Sequence, residues 1–125
     1  MKLITVQDLA VIVKHHGFDD FMRDLVSYLK QDFIRWNEFD KSPRYAAHVP
    51  GGVLELMPTA DNQYFSYKCV NGHPANPFSG KQTVIATGQM NEIQYGYPVL
   101  LSEMTTLTGF RTAATAIIAT DYLAR

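Results

Sequence analysis

A single cysteine, Cys69, is all the thiol chemistry in 125 residues, so no internal disulfide can form and the pattern fits a reducing compartment. An excess of one charge sign is missing as well. Eleven Lys/Arg against twelve Asp/Glu leave a net charge of −1, without the basic stripe that nucleic acid or an anionic membrane would call for. No apolar run approaches the roughly 18 residues a membrane helix needs. The start, Met1-Lys2-Leu3-Ile4-Thr5-Val6-Gln7-Asp8, turns polar too early for a signal-peptide core. The glycines never fall into a G-x-G-x-x-G or P-loop spacing. His15, His16 and His48 have no carboxylate or cysteine at ligand spacing, which argues against a metal, and no serine has the flanking glycines of a nucleophile elbow. What remains is one cytoplasmic, soluble domain whose 46% apolar and 18% charged residues are those of an ordinary globular protein.

Helix signals come first. Thr5-Val6-Gln7-Asp8 reads as a capping box, and Gly17 can end a helix after His16. A second start lies at Asp19-Asp20, where acidic groups favour the helix dipole. Phe21, Leu25, Leu29, Phe33 and Trp36 then share one face, predicting a long amphipathic helix to about Phe39. Pro43 closes that region. Strands are expected over Tyr45 to Val49, over Val53 to Met57 with Pro58 as the stop, and over Gln63 to Val70. Both faces of the last carry aromatics, which predicts cover on both sides. Asn71 to Gly80 reads as a loop, and Thr83 to Gln89 with Tyr97 to Leu101 as the arms of a hairpin. From Met104 to Arg125 the chain returns to helix, small and apolar nearly all round, without a capping Gly or polar tail. Such an ending predicts that more chain follows. The fold class expected is α+β: two N-terminal helices packed on an antiparallel meander, residues 1–103, then a long linking helix, residues 104–125.

Four charges sit where the pattern would bury them. Arg44 opens a strand, Glu55 interrupts an apolar one, Lys68 lies among aromatics, and Arg111 occupies the first turn of the last helix. Buried charges are costly unless paired. One reading is structural, with Glu55 paired to Lys68 on adjacent strands and Arg44 at the rim. The other is a ligand: three cations against one carboxylate leave positive charge that an anion would settle, and arginine presents a fork matched to a carboxylate. Cys69 alternates to the face opposite Lys68 and reads as a core thiol. His73 stands in the Gly/Pro loop and reads as a turn-stabilising residue.

Taken in order, the segments Phe39-Asp40-Lys41-Ser42-Pro43-Arg44, Glu55-Leu56-Met57-Pro58, Tyr67-Lys68-Cys69-Val70-Asn71-Gly72-His73-Pro74-Ala75-Asn76, Gly96-Tyr97-Pro98-Val99-Leu100-Leu101-Ser102-Glu103 and Arg111-Thr112-Ala113-Ala114-Thr115 resemble the ornithine cyclodeaminase and mu-crystallin family. The resemblance runs from about Leu29 onward and more loosely over the first helices. The N-G-H-P-A-N run points to the ornithine cyclodeaminase branch over the alanine-dehydrogenase and ketimine-reductase relatives.

The resemblance implies a substrate-binding and dimerisation domain that is normally joined to an NAD-binding Rossmann domain, and a homodimer formed through the sheets. It implies that Arg44, Lys68 and Arg111 hold the carboxylate of an amino acid, L-ornithine. Thr83 and Arg111 would contact NAD, and Glu55 would lie at the reaction centre. The implied reaction moves a hydride from the ornithine α-carbon to NAD, closes the ring through the δ-amine with loss of ammonia, and returns the hydride to give L-proline. The family's dinucleotide fingerprint and catalytic aspartate are both absent from this chain, so the chain by itself is expected to be inactive. Alternatives are a related NAD(P)-dependent imino-acid reductase or amino-acid dehydrogenase, or a free-standing dimerisation or ligand-binding module.

Overall fold

The computed structural model describes residues 1–124; Arg125, where the expected linking helix ends, lies outside the described residues. The chain opens on a short edge strand, β1 (Lys2–Ile4), which runs parallel to the last strand, β7 (Pro98–Glu103), with Ile4 opposite Ser102. This pairing makes the sheet mixed, where a purely antiparallel meander is expected. A three-residue strand whose partner lies at the far end of the chain leaves no local periodicity to detect.

Helix α1 (Val6–His16) begins and ends as its sequence predicts. Thr5 Oγ1 accepts the Asp8 N–H at 3.2 Å while Asp8 accepts the Thr5 N–H at 2.9 Å, and Gly17, at φ 88, caps the other end. Helix α2 (Phe18–Ile34) is shorter than expected, because the chain tightens at Arg35 into a 3-10 turn, Trp36–Glu38. The apolar face survives the change of pitch, since Phe33 and Trp36 remain stacked with centroids 5.9 Å apart. Arg35 holds this end in place. It reaches Asp32 at 3.2 Å and, through Nη2, Asp61 at 3.1 Å in the turn after β4.

Strand β2 (Asp40–Lys41) and β3 (Tyr45–Val49) both pair with the long β4 (Gly52–Ala60), followed by β5 (Tyr64–Gly72), β6 (Val84–Glu92) and β7. The order across the sheet is β1-β7-β6-β5-β4-β2, with β3 also on β4. Pro58 does not stop β4. It falls between the stretch paired to β3 and the stretch paired to β2, where a missing N–H leaves no bond unmade on that flank. The loop after β5 is ordered by its own backbone, through His73 N–H to Thr83 O at 2.8 Å and a 3-10 turn, Asn76–Ser79. His73 packs on Gly52, where a Cβ would lie 2.4 Å from Nδ1.

Helix α3 (Thr105–Leu123) lies on one face of the sheet and beside α2. Phe110 sits edge-on to both Phe18 and Phe21, and Lys30 meets Asp121 at 3.1 Å. Arg111 therefore stands in the second turn, not the first as expected. The start of α3 is sewn to β6: Ala86 N–H donates to Thr105 Oγ1 at 2.9 Å, Met104 N–H donates to Ala86 O at 3.0 Å, and Glu103 accepts the Thr106 N–H at 2.6 Å. Gly88 permits this approach, since a Cβ there would stand 2.8 Å from Met104 Cγ.

Little of this is core. Among the described residues Leu9, Ala86, Ala114 and Ile118 are the buried apolar side chains, and the chain exposes 9061 Å². A folded monomer of this size shows roughly 6,700 Å². Tyr45, Leu56, Phe65 and Ile85 are exposed on the sheet face away from α3, and Cys69, expected in the core, is half-buried on that same face. The cover predicted for both faces is present on one.

Gly88→Ala is expected to destabilise the chain by about 1–3 kcal/mol, the usual result of forcing an extra carbon into a filled contact. Urea denaturation checks it, with Gly109→Ala, where nothing lies within 4 Å of the new carbon, as a neutral or stabilising control.

Candidate functional site

Directly paired residues of a sheet carry their side chains to the same face. One rung across the sheet is Ala46, Glu55, Val70 and Ala86; the next is Met57, Lys68, Gly88 and Ser102. Both face α3, because Ala86 meets Thr105 and Lys68 reaches Thr108. Glu55 and Lys68 are thus diagonal neighbours on the covered face, and Gly88 carries no side chain beside Lys68, its place being taken by Met104.

Arg44 precedes β3 and turns onto the same face, donating from Nη1 to Glu55 Oε1 at 3.0 Å. The expected Glu55–Lys68 pair does not form. Register is the reason: Glu55 stands opposite Val70, and Lys68 opposite Met57. Lys68 donates from Nζ to Thr108 Oγ1 at 3.3 Å instead, and Thr108 in turn donates to the Met104 carbonyl at 2.5 Å. Arg111 follows Thr108 by one helical turn and has no carboxylate within ion-pair distance among the described residues.

The electrostatics tie these residues into one neighbourhood. Burial pushes the Lys68 amine below its ordinary range, the charges of Arg111 and then Arg44 push it further the same way, and Glu55 opposes them. Two guanidinium groups, exposed where burial is expected because they lie at the strand start and on the open side of α3, therefore act on one half-buried amine against a single carboxylate. That carboxylate is already engaged by Arg44.

Next to the cations lies a cavity of about 420 Å³ between α2 and β4, lined by Leu29, Phe33, Trp36, Phe39, Met57 and Arg111 among others. Lys41 also lines it, but its ammonium donates to the carbonyls of Trp36 at 2.5 Å and Phe39 at 2.8 Å and lies 4.9 Å from the Trp36 ring centre. Its charge is taken up locally.

The structure brings Arg44, Glu55, Lys68 and Arg111 together, and leaves Thr83 apart. Thr83 precedes β6 at the Gly72 end of the sheet and lines a separate groove with Gly51, Gly52, Val53, Pro74 and Ala75. At about 3.3 Å per residue it lies roughly 17 Å along the strand from the Lys68 rung. Thr105 and Thr108 escaped the sequence reading. The signal that could have found them is the concentration of threonine, a poor helix former, at Thr105, Thr106, Thr108, Thr112, Thr115 and Thr120 of an otherwise good helix.

The profile of the ornithine cyclodeaminase/mu-crystallin family matches residues 6–125. An ornithine cyclodeaminase of Agrobacterium fabrum is 50% identical over 122 residues, 98% of this chain and 34% of its own length. A lysine cyclodeaminase, solved to explain recognition of L-lysine, L-ornithine and L-2,4-diaminobutyric acid, superposes with a TM-score of 0.90 at 26% identity, over 98% of this chain and 38% of its own. A Thermococcus litoralis Δ1-pyrroline-2-carboxylate reductase in complex with NADH and L-proline gives 0.87 at 26% identity, over 100% of this chain and 38% of its own. The chain spans about a third of the length of the curated relatives it matches.

The depressed Lys68 amine has a stability consequence with a definite sign. Wherever both the folded and the unfolded state hold the proton, the folded state carries the full penalty. As pH rises, the folded state releases the proton first, while the unfolded chain holds it until about the ordinary value of 10.5. Between those values wild type should gain stability relative to Lys68→Met. Paired urea titrations at rising pH up to that ordinary value test this, and a difference that stays flat or moves the other way would contradict it.

Proposed function

The chain belongs to the ornithine cyclodeaminase/mu-crystallin family, and on that premise we propose that it forms the amino-acid-binding part of an ornithine cyclodeaminase-type enzyme. The whole protein then converts L-ornithine to L-proline and ammonia, with NAD used and regenerated in each turnover. The observation that carries the reading is the unbalanced positive charge around Lys68, where Arg44 and Arg111 both repel a half-buried amine. An α-carboxylate placed there relieves all three cations at once.

The donors left over suit that role. Arg44 uses one nitrogen on Glu55, and Lys68 uses one hydrogen on Thr108. The remaining guanidinium edge, the remaining ammonium hydrogens and Arg111 are free to hold two carboxylate oxygens. Held in this way, the α-carbon has one orientation, which lowers the barrier through positioning. Glu55, with one oxygen on Arg44 and the other available, can accept a proton from an amino group of the substrate.

NAD, when bound, supplies the acceptor and later the donor of the hydride. Arg111 and Thr83 fit such a group, since both are exposed donors and Arg111 lacks a carboxylate partner among the described residues. Residues 104–125 would then link this part to the dinucleotide-binding part of the whole protein, consistent with the exposure of Ile117, Tyr122 and Leu123.

The helix-free face of the sheet supports self-association by the same reading. Tyr45, Leu56, Phe65 and Ile85 make an apolar surface of the kind that a symmetric partner covers. Sedimentation equilibrium at micromolar concentration is expected to show a dimer, shifted towards monomer by Leu56→Glu. A monomer at every concentration would remove this part of the reading.

In the whole protein, Arg44→Ala should weaken ornithine binding by about 1.5–3 kcal/mol, the loss usual for a hydrogen bond to a charged group. Arg44→Lys should restore only part of it, because an ammonium lacks the fork. Ammonia and proline release from ornithine and NAD checks the activity, and the 125-residue chain alone should show none. Turnover of other amino acids with none of ornithine would overturn the substrate assignment.

A further inference from the structure

Four threonines of α3 turn their hydroxyls back onto the helix: Thr108 to Met104 O, Thr112 to Thr108 O, Thr115 to Arg111 O and Thr120 to Ala116 O, at 2.5, 2.7, 2.9 and 2.9 Å. This back-bonding is a common habit of threonine in helices and assigns nothing by itself. Thr108 differs from the other three in one respect. Its oxygen also receives a hydrogen bond from a lysine, Lys68 Nζ, 40 residues away in sequence.

We infer that Thr108 is a positioning residue for Lys68, its hydroxyl oxygen holding the amine on the α3 side of the sheet beside Arg111 and away from Glu55. The inference rests on the reading that Lys68 receives a substrate carboxylate. Its geometric warrant does not. The hydroxyl proton is committed to the Met104 carbonyl, so the oxygen can only accept from Lys68, and its lone pairs are fixed in direction. Lysine has a flexible four-carbon stem that adopts whatever acceptor is within reach. The carboxylate whose charge acts on Lys68 on this face is Glu55, which Arg44 already engages. Without the hydroxyl, Lys68 would turn to Glu55, disturb the Arg44 pair and leave Arg111 as the lone cation on the helix side. The support behind Thr108 is rigid: Met104 packs over Gly88, and Thr105, one turn earlier on the same helix face, is bonded to Ala86 of β6. The helix start, its acceptor and Arg111 therefore keep one distance from the sheet.

The experiment uses the nitrogen-detected ammonium signal of Lys68 in isotopically labelled protein without substrate, together with ornithine kinetics of the whole protein. The side-chain hydrogens of a lysine held by an acceptor exchange slowly with water and remain visible. The Lys68 signal should be lost in Thr108→Val and retained in Thr108→Ser, which keeps the hydroxyl. It should also be retained in Thr112→Val, which removes an equivalent back-bond with no lysine on it. If Thr108→Val does not fold, Thr108→Ala makes the same comparison. In kinetics, Thr108→Val should raise KM for ornithine about three- to tenfold, the effect of one ordinary hydrogen bond, with kcat within about twofold and Thr108→Ser near wild type. An unchanged Lys68 signal in Thr108→Val, or an equal loss in Thr112→Val, would overturn the inference. The signal needs no substrate, so failure of ornithine turnover with the Lys68 pattern intact would remove the proposed substrate and leave the positioning role standing.

Discussion

Helix α3 can stand over Lys68 only because position 88 carries no side chain. Gly88 shares a rung with Lys68, and the space a Cβ would take is filled by Met104 at the start of the helix. From that contact the rest of the site follows by helical spacing. Thr105 meets β6, Thr108 comes down over the lysine one turn later, and Arg111 arrives a turn after that. The backbone bond from Met104 N–H to Ala86 O and the cap from Glu103 to Thr106 fix the helix axis at the same place. A shift of the helix start by the length of one methyl group would move an acceptor and a cation together, because both ride on one rigid element.

Charge explains what that rigidity is for. Flexible surface charges find partners or spread into water, and surface ion pairs contribute little. The many pairs on α1 and α2, such as His16 with Asp24 and Arg23 with Asp20, are of that kind. Around the half-buried lysine on the covered face the balance is different, although Arg44 and Arg111 are themselves exposed. Three cations meet one carboxylate, and the central lysine is pushed below its ordinary range by burial before any neighbour is considered. A fold selected for stability alone would place an apolar residue at that rung, as it does with Met57 on the adjacent strand. The site keeps an electrostatic cost in the free state of the kind that a bound anion would remove.

The helical frame was largely legible in the sequence because its signals are local. The capping box at Thr5 and Asp8, the stop at Gly17 and the apolar face of α2 each lie within a few residues of what they control. Strand β3 was legible for the same reason, being bounded by Pro43 and the Pro50-Gly51 turn. What escaped depends on distant partners. β1 is a strand only because β7 lies beside it, and Pro58 is tolerated only because neither β2 nor β3 covers its flank. The same limit applied to the site. Its charges were legible as misplaced polarity, whereas the choice of Glu55 by Arg44 and of Thr108 by Lys68 follows from register and helix placement. A resemblance carried the assignment of Arg44, Lys68 and Arg111 to one neighbourhood, and geometry then gave a physical reason for their being near one another.

The two unsatisfied surfaces of the chain are kept apart by strand alternation. Lys68 and Cys69 are neighbours in sequence, yet one faces α3 and the cations while the other lies on the helix-free face with Leu56 and Phe65. A slip of one residue in pairing would exchange those faces along a whole strand, sending Lys68 to the apolar side and Cys69 to the charged one. The register is accordingly continuous through the site. β4 and β5 pair without a break from Val53 opposite Gly72 to Ala60 opposite Phe65, and β5 and β6 from Gly72 opposite Val84 to Tyr64 opposite Glu92. The one irregularity in the ladder among the described residues, at Met90 and Asn91 of β6 against β7, falls beyond the Lys68 rung. Past that point β7 can adjust to its turn without rotating any site residue off its face. An anion on one side and an apolar partner on the other can therefore be accommodated independently, because the ladder that separates them is regular wherever both are present.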